Sequence, residues 1–476
     1  MKITSQNSLL EETAVAEFKA QLRGTLLREG DTGYDAARAL WNGMIDKRPA
    51  LIARCTGTAD VIACVNFART HGIDLAIRSG GHNVAGNALC DGGLVIDLSQ
   101  MRGVRVAPLA RIARIQPGIT LGDFDHETQV FGLATPLGMV SETGVAGLTL
   151  GGGVGWLSRK YGLSCDNLLS ADIVTADGQL VTASPQKHAD LFWGIRGGSG
   201  NFGVVTSFTF QLHPVGPTVL AGMALYPMEQ AREVLHFYRA FAAAAPNELT
   251  TATLLRIAPP APFLPRHVHR KPVVAIAVCY RGSLEEGERV LYPLLNFGTP
   301  VAKTISPIPY VNFQKMLDSA SPDGLHYYAR SDYLPELSDA SIETMIHYAH
   351  RLTSPLTAIL MVQLGGAVSR IDEHATAASN RNAAFILNMQ ALWQPQDEPS
   401  PHIQWTREFS SAMRPFSTGG TYVNMMSPDE SEERVAAAYG SNYERLAALK
   451  SKYDPTNLFS VNHNIKPLRG SDRSFS

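Results

Sequence analysis

Apolar residues recur along this chain first at helical and then at strand spacing. Leu9, Leu10, Ala14, Phe18, Leu22 and Leu26 fall on one stripe and predict a helix within residues 8–29, because positions three and four apart share a helix face. Tyr34 to Trp41 predicts a short amphipathic helix, and Ala50 to Arg54 a strand. Next comes a helix capped by Thr58 or Asp60, with Val61, Val65 and Phe67 apolar. Strand-like runs Leu75–Ile77 and Leu94–Leu98 flank a glycine loop. Strand, helix, strand and loop in this order predict a small α+β unit. Val104 to Ile115 alternates as half-buried strands do, and Asp172 to Val181 predicts a hairpin through an Asp-Gly turn. A strand follows from Val204 to Leu212.

The texture changes at Pro214-Val215-Gly216-Pro217, where a boundary is placed. Residues 218 to about 415 alternate helical stretches with β-rich runs, among them Val273–Tyr280, Ala358–Leu364 and Ala383–Leu392. Apolar runs of this kind, poor in glycine loops, predict a sheet packed on helices. A last helix is predicted from Glu433 to Lys450, with Val435, Ala438, Tyr439, Tyr443, Leu446 and Leu449 on its apolar side. Residues 468–476 are polar and expected to be disordered.

Length and charge narrow the classes. A chain of 476 residues needs two or three domains. A net charge of −2 gives no electrostatic case for nucleic acid or an anionic membrane. Cys55, Cys64, Cys90, Cys165 and Cys279 are scattered, without a C-x-x-C pair, which fits a reducing compartment and argues against a zinc site. No apolar run approaches bilayer length, and the first residues lack a signal-peptide core. The expectation is a soluble cytoplasmic protein. Two groups of metal-ligand residue types read as ordinary structure. Gly122 to Glu127 looks like an acidic helix start, and His267 with His269 sits in a basic loop.

Glycines carry the candidate chemistry. In Arg78-Ser79-Gly80-Gly81-His82-Asn83, adjacent glycines permit a tight turn and bring bare N–H groups toward a ligand. Such a loop forms an anion-binding nest, and Arg78 adds a charge able to bridge phosphate oxygens. Neither Walker A nor dinucleotide-fingerprint spacing is present. His82 is then either a ligand-facing group or a solvated loop histidine. The run from Gly144 to Gly155 holds six glycines in twelve residues among apolar neighbours, unlike a flexible linker. It predicts backbone laid against a large extended ligand. A third cluster spans Phe192 to Gly203. Three such segments suggest one long ligand with an anionic section, the shape of a dinucleotide.

Several of these segments resemble one family. R-S-G-G-H-N, G-G-L-V-I-D-L-S and G-L-T-L-G-G-G-V-G-W-L-S-R-K-Y-G-L-S-C-D-N-L are similar to the FAD-binding domain of the vanillyl-alcohol-oxidase (PCMH-type) superfamily. R-G-G-S-G-N-F-G-V-V-T-S-F and K-Y-D-P-T-N-L-F-x-x-N-x-N-I narrow the resemblance to its berberine-bridge-enzyme-like branch. Bacterial natural-product tailoring oxidases and hydroxynicotine oxidases are most similar in length and texture.

The resemblance implies an α+β, two-domain fold. A PCMH-type FAD-binding domain would cover residues 1–217, with its core at about 46–217. An antiparallel-sheet substrate domain backed by helices would cover 218–415, and residues 416–467 would return to the flavin domain. It implies FAD bonded covalently to His82. It places Arg78, Ser79, Gly80, Gly81, Asn83, Gly144, Gly147, Gly151, Gly152, Gly155 and Val205 around the nucleotide, with Tyr422, Asn424 and Asn462 near the ring. Family members with a second covalent link carry a cysteine where this chain has Val140, so attachment is expected through His82 alone, with Cys165 a buried small residue.

The implied activity is an oxidase that takes a hydride from a bulky, mostly apolar secondary metabolite, an alcohol or amine, with O2 as electron acceptor. The residues that serve as base in relatives are missing. Met425 stands where a tyrosine is used, and the strand around Asn388 lacks a glutamate. Tyr328 is a candidate to enter the pocket or a core tyrosine; Asn388 is a candidate to orient substrate; Thr143 is a candidate to leave room for O2 or a structural hydroxyl. Two other readings follow: a dehydrogenase using another acceptor, and a flavoprotein scaffold for non-redox cyclisation or isomerisation.

Overall fold

The computed structural model describes residues 10–262 and 264–468. Leu9 of the first apolar stripe and residues 469–476 of the polar tail lie outside the described residues. The first sheet has four strands in the order Thr25–Leu27, Leu51–Arg54, Leu94–Asp97, Leu75–Arg78. Its last three strands run parallel, with the helix Thr58–His71 between the first two of them in sequence. The second sheet is antiparallel, in the order Val104–Ala107, Ile112–Ile115, Val204–Gln211, Leu168–Val174, Leu180–Ala183. The hairpin joining its last two strands turns at Gly178, whose φ of 81° suits glycine.

The first apolar stripe does not continue as one helix. The helix ends at Gln21, and Leu26 lies in a strand opposite Ala53. Close packing forces the change: a Cβ on Gly24 would lie 2.0 Å from the Arg54 carbonyl oxygen. The amides of Arg23 and Gly24 donate to the Asp60 carboxylate at 2.8 and 3.2 Å. Asp60 thus ties this corner to its helix, whose N-cap is Gly57 without a side-chain cap. The predicted helix from Glu433 to Lys450 is also two helices, Glu432–Tyr439 and Tyr443–Tyr453, broken at Gly440 with φ 52°. Gly122–Glu127 forms part of the helix Leu121–Gln129, where Thr120 and Asp123 make a reciprocal capping box.

The largest sheet has eight antiparallel strands. Seven follow the order Ala302–Lys303, Thr218–Pro227, Pro272–Tyr280, Leu249–Ile257, Ala358–Gln363, Phe385–Trp393, His326–Leu334, and Ser306–Pro309 also pairs with Thr218–Pro227. One face packs on helices that include Ala231–Ala244, Asp339–Ala349 and Pro399–Met413. Strand alternation divides Phe385–Trp393 between its two sides. Phe385, Leu387, Met389, Ala391 and Trp393 join the helix-side core, while Ile386, Asn388 and Gln390 line a cavity on the other. The fold is the α+β arrangement with a helix-backed antiparallel sheet that the resemblance implied.

The last helix anchors the chain end. Lys450 is fully buried, and its Nζ donates to Asp454 at 2.6 Å, to the Asn201 carbonyl at 2.8 Å and to the Phe459 carbonyl at 2.9 Å. Asp454 in turn accepts the amides of Leu458 and Phe459. The K-Y-D-P-T-N-L-F segment is thereby folded against the third glycine cluster. Among the described residues no helix is long and apolar enough to cross a membrane.

Candidate functional site

One cavity of about 340 Å³ runs between the two small sheets, the eight-stranded sheet and the segments 422–425 and 461–463. The first glycine loop forms one end. Gly81 adopts φ 68°, which turns the chain at His82. The imidazole stacks on Trp41 with ring centroids 4.0 Å apart, and Trp41 stacks on Tyr327 at 3.7 Å. Trp41 Nε1 donates to the Ser321 carbonyl, which holds the stack in place. The Nε2 of His82 is buried without a hydrogen-bond partner among the described residues. Burial pulls its pKa down to about 4, so the ring is neutral at pH 7 and keeps a nitrogen lone pair. Solvation does not account for a ring placed this way.

The second cluster meets the first directly, since Gly80 and Gly144 approach without space for side chains. Ser79 Oγ donates to the Pro117 carbonyl at 2.6 Å, and Asn83 Oδ1 accepts the Asn87 amide at 3.1 Å, which fixes the loop. A Cβ on Gly147 would meet nothing within 4 Å, because this glycine of the helix Val145–Leu150 borders the cavity. Ser79, Gly80, Gly81, His82, Asn83, Gly144, Gly147 and Val205 all line it, as do Tyr422, Asn424, Asn462, Thr143, Asn388 and Met425. These residues come from six separate parts of the chain.

Tyr422 and Asn424 close the opposite wall. The Tyr422 hydroxyl accepts from Asn424 Nδ2 at 2.9 Å and from the amides of Gly153 and Val154 at 3.2 and 3.3 Å. Burial raises its pKa to about 12, so the phenol is neutral near pH 7. Asn462 Nδ2 donates to the carbonyls of Gly200 and Phe459, and its Oδ1 is buried without a partner among the described residues. His463 has a buried, unpartnered Nε2, and desolvation lowers its pKa to about 4. Unpartnered buried polar atoms on residues that line one cavity mark places where a ligand could supply the missing partner.

Five predicted residues stand elsewhere. Arg78 does not line the cavity; its guanidinium packs behind the loop and donates to the Ala37 carbonyl. Gly151 is required by protein packing, since a Cβ there would fall 1.9 Å from Asn424 Oδ1. Gly155 is required in the same way by the Leu137 carbonyl, at 1.8 Å. Gly152 has φ 108° and faces Leu163, Ala378 and Tyr422. Tyr328 lies on the helix side of its strand, donating to Asp429 and accepting from Arg330 and Arg407. Its neighbour Tyr327 is the one that turns toward Trp41.

Four further lining residues escape a reading of motifs: Trp41, Arg256, Gln390 and His463. Gln390 had a signal, because Asn388 and Gln390 alternate as polar positions in an apolar strand. Trp41 had none, because its stacking partners are fixed by tertiary contact alone. Thr143 borders the cavity beside Met139 and Val140, both apolar. Cys165 is fully buried and free.

A family model described as FAD binding domain matches residues 49–184, and one described as berberine and berberine like matches residues 421–466. An FAD-linked oxidoreductase of Dictyostelium discoideum is 35% identical over 96% of this chain and 97% of its own length. The (R)-6-hydroxynicotine oxidase of Paenarthrobacter nicotinovorans is 31% identical over 94% of this chain and 97% of its own. The crystal structure of 6-hydroxy-D-nicotine oxidase from Arthrobacter nicotinovorans superposes with a TM-score of 0.82 at 28% identity, covering 98% of this chain and 100% of that one.

Proposed function

The chain belongs to the berberine-bridge-like FAD-linked oxidoreductases, and on that premise we propose that it is an oxidase for a bulky, mostly apolar alcohol or amine, with FAD tethered through His82 alone. The observation that carries this reading is His82 itself. A neutral imidazole with a buried, partnerless nitrogen stands at one end of a cavity walled by Cβ-free backbone. When bound, FAD supplies a two-electron acceptor that O2 returns to its oxidised form with release of hydrogen peroxide.

The chain's own residues divide the remaining work. Trp41, itself backed by Tyr327, stacks on one face of the imidazole and holds its plane. Gly80, Gly81 and Gly144 offer backbone N–H groups to an anionic pyrophosphate at close range. Val140 has no nucleophile, which supports a single tether. Thr143 is small enough to leave O2 a path. Asn388 Oδ1, buried without a donor, accepts the substrate's O–H or N–H and orients the carbon to be oxidised. An amide is too weak a base to remove that proton, so Asn388 positions the substrate. Leu254, Leu360, Val362 and Ile386 give the sheet side of the cavity its apolar character. A cytoplasmic location belongs to the same reading and rests on five cysteines that are all free and buried.

Mass spectrometry of the denatured protein tests the tether. The wild type is expected to carry an added mass equal to FAD, and His82→Ala to lack it. An adduct that persists in the variant would assign the bond to another residue. Hydrogen peroxide release on substrate turnover separates an oxidase from a dehydrogenase.

A further inference from the structure

Arg256 is the one permanently charged side chain that lines the cavity among the described residues, and no Asp or Glu lines it. It extends from the strand Leu249–Ile257, on the same face as Leu254. Strand register places Arg256 opposite Ala358, and Ala358 opposite Gln390; the next row inward holds Leu254, Leu360 and Asn388. The strand lies three positions across the sheet from the Tyr327 strand that reaches the Trp41 and His82 stack. At the usual spacing between strands that is about 14 Å. Arg256 therefore occupies the part of the cavity walled by the large sheet, away from the nucleotide loops.

Arg256 is half-buried, and its surroundings differ from those of three other arginines set into the fold. Arg381 is paired with Asp166 at 2.7 Å, Arg434 with Asp332 at 3.2 Å, and Arg159 donates to the carbonyls of Leu249 and Ala245. The Nε of Arg256 reaches the Ile257 carbonyl at 3.2 Å, while its two terminal nitrogens have no partner among the described residues. Burial lowers its pKa with no anion nearby to offset the cost. A half-buried guanidinium that has given up part of its water without gaining an anion is open to completion by an anionic ligand.

We propose that Arg256 is a specificity-determining residue that receives a carboxylate carried by the substrate, so that the oxidised molecule is a bulky apolar acid. The planar fork of one guanidinium matches one carboxylate through two parallel hydrogen bonds. A phosphate dianion would leave one charge unmatched on this wall. Gln390, in the same row, supplies an amide beside the fork. The apolar body of the substrate then lies over Leu254 and Leu360, and its reacting end reaches Asn388. This rests on reading the cavity as the substrate site of an FAD oxidase.

The test uses the holoenzyme and two matched probes, biphenyl-4-carboxylate and biphenyl-4-carboxamide, titrated by calorimetry. The carboxylate is expected to bind about 30-fold or more tightly than the amide, as loss of a buried charged partner implies. Arg256→Gln removes that preference, and Arg256→Lys, which keeps the charge without the fork, retains part of it. Equal binding of the two probes by the wild type overturns the proposal, as does a preference that survives Arg256→Gln. FAD content is read from the visible spectrum of the same samples. A wild type without FAD counts against the oxidase reading and not against the carboxylate site. Loss of FAD in Arg256→Gln without loss of carboxylate preference assigns the arginine to the cofactor and overturns the proposal.

Discussion

The backbones of Gly80 and Gly144 pass each other with no room for a side chain on either. A Cβ on Gly80 would lie 2.5 Å from the Gly144 nitrogen, and one on Gly144 would lie 2.6 Å from the Gly80 nitrogen. Gly144 has an ordinary φ of −72°, so the constraint there is space and not backbone conformation. Gly80→Ala or Gly144→Ala is expected to push the two loops apart, costing about 1–3 kcal/mol in stability and weakening FAD retention. Melting temperature and flavin absorbance should fall together.

Gly147→Ala gives the opposite pairing of outcomes. The added methyl meets no protein atom within 4 Å, and alanine is favoured over glycine in a helix by about 1 kcal/mol. The folded protein without flavin should be at least as stable as the wild type, while the methyl intrudes on the cavity. A melting temperature of the apoprotein that is unchanged or raised, with reduced flavin content, is the expected result.

Tyr422→Phe removes the acceptor for the Gly153 and Val154 amides and for Asn424 Nδ2. Stranded buried donors cost about 1–3 kcal/mol each at most, less where water enters. The variant should melt earlier and, if Tyr422 stands beside the flavin as proposed, show a shifted flavin band, because that wall loses its fixed hydrogen bonds. A melting curve and spectrum identical to the wild type would show that these bonds contribute nothing.

Asp125 predicts a pH dependence. Its carboxyl is fully buried with neither oxygen partnered among the described residues, and desolvation raises its pKa well above 3.8. A folded pKa above the unfolded one favours folding fully below pH 3.8, and that contribution is lost as pH rises through the folded value. Asp125→Asn stays neutral throughout. The variant should therefore melt higher than the wild type at neutral and alkaline pH, with the difference closing as pH falls toward 4. Melting temperatures of both proteins across that range check the sign.

Lys450→Met leaves Asp454 as a buried carboxylate without its cation and frees the Asn201 and Phe459 carbonyls. Breaking a buried pair from one side costs about 3–5 kcal/mol. The C-terminal segment carrying Asn462 should then detach from the third glycine cluster. Faster proteolysis after the helix Tyr443–Tyr453, with loss of flavin, is the measurable consequence.

The chain's linear order determined the parts whose causes are local. Glycine at positions 80, 81, 144 and 147 is a property of single residues, so candidate ligand loops could be read directly, while the proposed tether at His82 came only with the family resemblance. Alternation determined that Asn388 belongs to a face opposite Leu387 and Met389. What lay beyond the sequence was which residues meet across long separations. Tyr327 and Tyr328 differ by one step in a strand, and only packing decides which side faces the cavity. Helix spacing placed Leu26 on a helical stripe, and the contact of Gly24 with Arg54 overrode it. The stack of Trp41 on His82, the approach of Gly80 to Gly144 and the arrival of Arg256 in the cavity were decided by the tertiary structure alone, because contact between distant residues leaves no periodic trace along the chain.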